Sequence, residues 1–446
     1  MMSEPLKKDY RLLSFISAMV MVCYGMIAWW IPRTNFCFLI VSLTVLFVLY
    51  MLMTARDFAK DYYKELLLLA LLSRCVFLFS IPSLSDDYFR FMWDGILTGN
   101  GINPYMHVPA SVNSINGNAL PAFMMKLKEG MNSLPYYSPY PPLLQLVFYI
   151  AVKIGGYHLV ADIVVFKILI LLAEAGSFFI LKKLLEQFHL PVEKVLLYAL
   201  NPLVIIELTG NLHGEVFMIF FMLLSFYLLV TNRTVSSAIF LALAVSTKLL
   251  PLIFLPAILS FIGIKKGLLY TVIVLATVMA SFLPFANALF IPHMLESVGY
   301  YYQKFEFNAS IYYLLRWMGY DLTGFNLIYI TGKLLPLIAF VLIMWLAFYK
   351  KIKTKEVFFE RILFTLLTYY LLSLIVHPWY ITLLVAVSVC TTYRFAFVWS
   401  ALIMLTYSTY LQTPYHEILW VVFLEYLVLG LVIYAEIRKG NEVKNV

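Results

Sequence analysis

The sequence predicts an all-α polytopic membrane protein with about fourteen transmembrane helices and a large first outer loop. Three observations carry that prediction. Hydrophobic residues make up 63% of the 446 and charged residues 13%, where a soluble domain holds roughly 45–50% and about 25%. The apolar excess runs along the whole chain instead of forming one anchor, so lipid must solvate most of it. Finally, the 32 Lys and Arg, which outnumber 24 Asp and Glu, sit in short gaps between apolar runs. They form no basic stripe, so the net charge of +8 points to membrane lipids and not to nucleic acid.

The first run, 12–31, follows Lys7, Lys8 and Arg11 and ends in the Trp29–Trp30 pair with no small-residue cleavage site. It is a span with an aromatic belt, not a signal peptide. Further runs follow at 36–53, 66–82, 162–182, 195–210, 216–230, 235–249, 251–262, 268–286, 326–349, 358–376, 379–392, 395–411 and 417–436. Each is near the ~20 residues that a crossing needs, or shorter. The pair 235–249 and 251–262 is the shortest and carries Pro251 and Pro256. With the N-terminus inside, 21 Lys and Arg fall to the inner side and 9 to the outer, while Arg74 and Lys167 lie within spans. That asymmetry predicts both termini in the cytoplasm. Arg74, Lys167 and Glu174 read equally as functional charges or as ion pairs between packed helices. Residues 1–446 then form a single integral-membrane domain with two long outer segments, 83–161 and 287–325. Within the first, the run 143–154 behind Pro141–Pro142 is too short to cross and reads as an interfacial or re-entrant helix. Cys23, Cys37, Cys75 and Cys390 have no metal-site spacing and read as small buried residues.

The most informative stretch is SDDYFRFMWDGILTGNGINPY, 85–105, at the outer end of the third span. Ser85 suits an N-cap, with Asp86 and Asp87 in the first turn, where the helix dipole favours negative charge. Spacings of three and four put Asp87, Arg90 and Asp94 on one helical face and bring Arg90 within reach of Asp86. One reading is a solvated helix tip. The other, favoured in a chain so poor in charge, is a general base held at the lipid boundary beside Arg90. More polar groups reach the same side: Asn201, Glu207, His213 and Glu215 in NPLVIIELTGNLHGE; Lys248 at a span end; Lys304, Glu306, Asn308 and Arg316 in the second outer segment; and His377, Trp379 and Tyr380 in HPWY. Individually these suit caps and interfacial belts. Their convergence from at least five spans predicts a site.

The pairing of SDDxxRxxWDG with a following GxNPY resembles the first-loop signature of polyprenol-phosphate-dependent glycosyltransferases of the GT-C superfamily, and most of all the bacterial integral-membrane mannosyltransferases. The resemblance continues through SPYPPL (138–143), NPL…E…GNLHGE, STKLLPL (246–252), FEFNASIYYLL and HPWY, from about residue 80 to 380. The HGE triplet departs from the HND-like triplet usual in relatives. The resemblance implies an inverting transfer of one sugar, mannose first, from a polyprenyl-phosphate donor to a glycan or lipid-linked acceptor. A carboxylate of the first outer loop acts as the base, Asp86 first and Asp87 as alternate. Substrate binding then falls to Arg90, Asp94, His213, Glu215, Lys248, Lys304, Arg316, His377 and Tyr380. Lys248, Lys304, Arg316 and His377 are the candidate cations for the leaving phosphate. Tyr136, Tyr137 and Tyr140 would suit sugar stacking as well as an interfacial belt. The implied location is a bacterial inner membrane with the site facing the periplasm or exterior, because nucleotide sugars stay in the cytosol. A divalent metal, Mg or Mn, would rest on Asp86 and Asp87, whose ligand set is incomplete.

Two other classes fit the span count. A secondary transporter would suit Pro-interrupted helices and mid-membrane charges, but it binds near the midplane between repeated halves, and no repeat is visible. A lipid-linked oligosaccharide ligase or polymerase would share the outer site. The carboxylate at the end of an early span, in place of a basic late loop, favours transfer of a single sugar.

Overall fold

The computed structural model describes residues 10–444; Lys7 and Lys8, which flank the first predicted span, lie outside them. Among the described residues the regular structure is helical apart from a hairpin of two-residue strands, Ser114–Ile115 against Asn118–Ala119, and an isolated bridge between Phe307 and Ile375. The hairpin's turn is Asn116–Gly117, both with positive φ, as a tight two-residue hairpin turn requires.

Six helices are long and apolar enough to cross a membrane: Tyr10–Trp29, Phe36–Met53, Leu159–Gln187, Ile264–Phe285, Ile328–Phe348 and Leu419–Lys439. A seventh crossing is available if Pro202–Gly210 and Glu215–Val230, bent by 118° at the intervening break, count as one. The remaining predicted spans are shorter helices: Tyr63–Cys75, Thr234–Val245, Leu250–Ile262, Lys355–Leu371, Pro378–Ser388 and Phe395–Leu411. The predicted interfacial run is the helix Pro142–Gly155, started by a proline whose missing N–H has no partner to lose.

One large apolar core joins most of these helices. Glu215–Val230 packs on Thr234–Val245 and on Leu159–Gln187, and the last also holds Pro142–Gly155. Outward faces stay apolar, as with Leu337, Phe340 and Val341 of Ile328–Phe348; lipid is their natural neighbour. A smaller core around Tyr312, Leu335 and Leu374 lies under the second outer segment. Cys37 and Cys75 are exposed, against the expectation of burial, while Cys23 and Cys390 are buried. Both exposed thiols sit on apolar helices with outward-facing neighbours, where a small weakly polar residue is tolerated.

The charges within the spans resolve as structural. Arg74 and Glu174 form a fully buried ion pair, with Tyr198 donating to Glu174 at 2.7 Å and Arg74 to the carbonyls of Ala70 and Ala199. Lys167 shares no contact with Glu174. It donates to the carbonyls of Phe77 and Ser80, both at 2.6 Å, in the turns that follow Tyr63–Cys75. These contacts fix where residues 80–87 leave the bundle.

Candidate active site

The outer helix Asp87–Gly99 starts one residue later than its sequence suggests. Asp86 is the flanking residue, and Ser85 Oγ accepts from Asp87 N–H at 3.3 Å. The helix lies against Pro142–Gly155 so closely that a Cβ on Gly95 would sit 2.5 Å from the Phe148 carbonyl oxygen.

Arg90 does not reach Asp86, contrary to the i,i+4 spacing. It pairs with Asp94 at 2.7 Å and donates to the carbonyls of Ser133 and Tyr136. Asp94 also accepts from Ser138 at 2.5 Å and Gln145 at 3.1 Å. Arg90 and Asp94 are both buried, where a charge must be paired and hydrogen-bonded. This network ties residues 133–145 to the outer helix. Asp86 turns the other way, to Arg33 Nη2 at 2.7 Å. Arg33 lies over the rings of Tyr410 and Tyr415. Sequence reasoning missed Arg33, although a lone cation in an outer loop is the same signal that picked out Lys248.

Asp87 faces the break in the bent pair. Asn201 caps the short helix Pro202–Val204, accepting from Leu203 N–H at 3.0 Å, and a π-helical turn, Ile205–Gly210, follows. Such turns gather at functional sites. The chain then reverses through Asn211–Gly214, with Leu212 in the left-handed region at φ 63°. A bulky residue held there, even one without β-branching, stores about 1–3 kcal/mol. Glu207, inside the π turn, accepts from Tyr407 at 2.6 Å and Asn211 at 3.2 Å, and its second oxygen lies 3.3 Å from His213 Nδ1. His213 is thereby oriented, and its Nε2 is buried, without a hydrogen-bond partner, and 3.9 Å from Asp87.

The remaining wall comes from two segments. Lys248 Nζ contacts Glu215 at 2.5 Å and lies 3.8 Å from the ring centroid of Tyr380. Trp379 is sandwiched between His213 at 3.8 Å and His377 at 4.3 Å. The structure therefore brings Asp87, His213, Glu215, Lys248, His377 and Tyr380 together, with Asp86 and Arg33 alongside. The second outer segment joins through Phe307, which bridges to Ile375 and lies 4.8 Å from His377. Lys304 is exposed, one residue before Phe305, whose ring also neighbours His377. Arg316 is held elsewhere by Glu306, which also accepts from Tyr312.

Burial raises the pKa of Asp87 from its ordinary value; His213 opposes that shift, and Glu215 and Asp86 reinforce it. Burial works against protonation of His213, yet the carboxylates of Glu207, Glu215 and Asp87 outweigh it and raise its pKa. His377 is pressed down to about 3 by burial and by the positive charge of Lys248 and His213. Both effects favour its neutral form over the cation expected for a phosphate contact. Asp86 and Asp87 face Arg33 and His213, and among the described residues no group of three or more His, Cys, Asp or Glu could hold a metal ion. This donor set does not fit a divalent cation.

A family model described as "Alpha-(1->6)-mannopyranosyltransferase, N-terminal domain" matches residues 13–263. The chain is 24% identical over 199 residues to alpha-(1->6)-mannopyranosyltransferase A of Corynebacterium glutamicum, covering 43% of this chain and 39% of that protein. It is 26% identical over 174 residues to the protein of the same name from Mycobacterium tuberculosis, covering 38% and 32%. The matches thus span about a third to two fifths of the curated relatives' length. No solved structure matches.

Proposed function

The chain belongs to the alpha-(1->6)-mannopyranosyltransferase family, and from that premise we propose that it transfers one mannosyl residue, with inversion, from a polyprenyl-phosphate donor to a glycan or lipid-linked acceptor. The reading places the site at the outer face of a bacterial inner membrane and counts the short and broken helices among about fourteen crossings. An α product formed by inversion calls for a β-linked donor.

The observation that carries it is the meeting of Asp87 with the unpartnered Nε2 of His213, 3.9 Å away, beside Lys248 and the Asp86–Arg33 pair. A single displacement needs one base and a cradle for the departing charge. Asp87 accepts the proton of the acceptor hydroxyl. That oxygen bonds to the anomeric carbon as the bond from the anomeric carbon to the phosphate oxygen breaks, and the electron pair leaves with the lipid phosphate. The His213 N–H and Lys248 meet the negative charge, Lys248 trading its Glu215 contact for a phosphate oxygen. The geometry favours Asp87 over Asp86 as base, because Asp86 already neutralises Arg33.

The test is to supply purified protein in nanodiscs with radiolabelled polyprenyl-phosphate mannose or nucleotide-linked mannose, together with an α-mannoside acceptor. Label should enter the acceptor from the lipid donor alone. Transfer from the nucleotide sugar, or from neither, would overturn the proposal.

A further inference from the structure

Asn308, in the second outer segment, is fully buried and sits in the left-handed region at φ 45°, which a residue other than glycine keeps only where its contacts fix it. Those contacts come from the far end of the chain. The Asn308 backbone N–H donates to Glu417 at 2.6 Å, its carbonyl accepts from Tyr426 at 2.7 Å, and its Nδ2 donates to Glu425 Oε1 at 3.1 Å. Glu425 lies within the last span, Leu419–Lys439, and is 1% exposed. Trp399 Nε1 donates to the same Oε1 at 2.8 Å. Two atoms are left over: neither Glu425 Oε2 nor Asn308 Oδ1 has a hydrogen-bond partner.

We propose that Glu425 is protonated in the folded protein and donates from Oε2 to Asn308 Oδ1, and that this acid–amide clasp positions the wall of the site that carries His377 and Trp379. An ionised carboxylate only accepts, and burying one without a cation or a full set of donors is very costly. No lysine, arginine or histidine among the described residues pairs with Glu425. The neighbouring helix Phe395–Leu411 has no charged residue, Tyr426 brings no positive charge, and Glu417 adds one of the same sign. One hydrogen removes both shortages, because the two unpaired acceptors belong to residues already joined through Nδ2 and Oε1. Acid and amide then close a ring of two hydrogen bonds. Turning the Asn308 amide over would instead set Oδ1 against Oε1, acceptor against acceptor. The clasp reaches the site through the next residue. Phe307 N–H donates to the Leu374 carbonyl at 3.0 Å, and Val376 N–H donates to the Phe307 carbonyl at 2.9 Å. The Phe307 ring lies 4.8 Å from His377, which stacks on Trp379. The positioning role rests on the function proposed above; the proton does not.

Infrared difference spectra of the full chain in nanodiscs test the proton. Wild type minus Glu425→Gln at neutral pH should show the carbonyl band of a protonated carboxylic acid, shifted in deuterium oxide. Carboxylate bands in its place would overturn the proposal. Turnover tests the positioning. Glutamine offers an N–H where the protonated acid offers an O–H, so Glu425→Gln should keep most of the wild-type kcat. Asn308→Gly suits the positive φ and keeps both backbone contacts while deleting the amide; it should lower kcat about tenfold with little change in donor KM. A wild-type kcat in Asn308→Gly, or an equal loss in Glu425→Gln, would overturn the positioning role. An acid band in a protein that moves no mannose from any donor would instead remove the proposed function and leave the proton in place.

Discussion

Asp87 and His213 hold opposite protonation requirements 3.9 Å apart. As base, Asp87 must be ionised, and burial raises its pKa; activity therefore appears as pH climbs above that raised value. To donate to a phosphate, His213 must keep its proton, which its carboxylate neighbours favour; activity is then lost as pH climbs through its raised value. A bell-shaped profile of kcat/KM is expected, with both limbs belonging to the coupled pair. His213→Gln should flatten the alkaline limb while lowering the plateau, and a profile whose alkaline limb survives that change would remove His213 from the chemistry. Asp87→Asn should cut kcat by about 100-fold or more. Asp86→Asn, which strands Arg33 but spares the base, should cost about tenfold; the reverse order, measured on the same donor, would return the base to Asp86. Sequence spacing put Arg90 within reach of both Asp86 and Asp94, and only the second pair forms. The i,i+4 rule knows only one helix: it finds Asp94, but neither the Ser133 and Tyr136 carbonyls that also hold Arg90 nor Arg33, which reaches Asp86 from another loop. Tyr407, 200 residues from Glu207, left no local signal at all.

The bent pair and the outer helix aim these side chains. Apolar periodicity finds the runs at 195–210 and 216–230, but not the π turn or the 118° break between them, because both depend on packing and on the Asn201 cap. The hairpin at Asn116–Gly117 was not picked out from the sequence, because its two-residue strands are too short to show alternation. The outer helix depends on Gly95, since any Cβ there meets Phe148 backbone and a carbonyl cannot rotate aside. Gly95→Ala should push the helix off Pro142–Gly155 at a cost of about 1–3 kcal/mol. A lower thermal midpoint in detergent should accompany a fall in turnover. An unchanged midpoint would mean that the two helices do not pack as described.

Composition was enough for the fold class, since 63% hydrophobic residues leave lipid as the main solvent. Crossing number was less legible. Thr234–Val245, with 12 residues, is about 18 Å long against a hydrocarbon layer of about 30 Å, so hydropathy counts segments that length does not make into independent spans. Orientation rests on 21 basic residues inside against 9 outside, which should hold because the bias is read loop by loop. On a background lacking the four native cysteines, Asn113→Cys should react with a membrane-impermeant maleimide in intact cells, and Lys439→Cys only after permeabilisation. Labelling of position 439 alone would turn the site inward and open it to nucleotide sugars.

The sandwich of Trp379 between His213 and His377 has an optical consequence. A protonated imidazole in face contact quenches indole emission, whereas a neutral one quenches far less. Of the eight tryptophans, Trp379 should therefore be dim while His213 holds its proton and brighten when the proton leaves. Subtracting the emission of a Trp379→Phe variant isolates that signal and turns the indole into a resident gauge of the proton on His213.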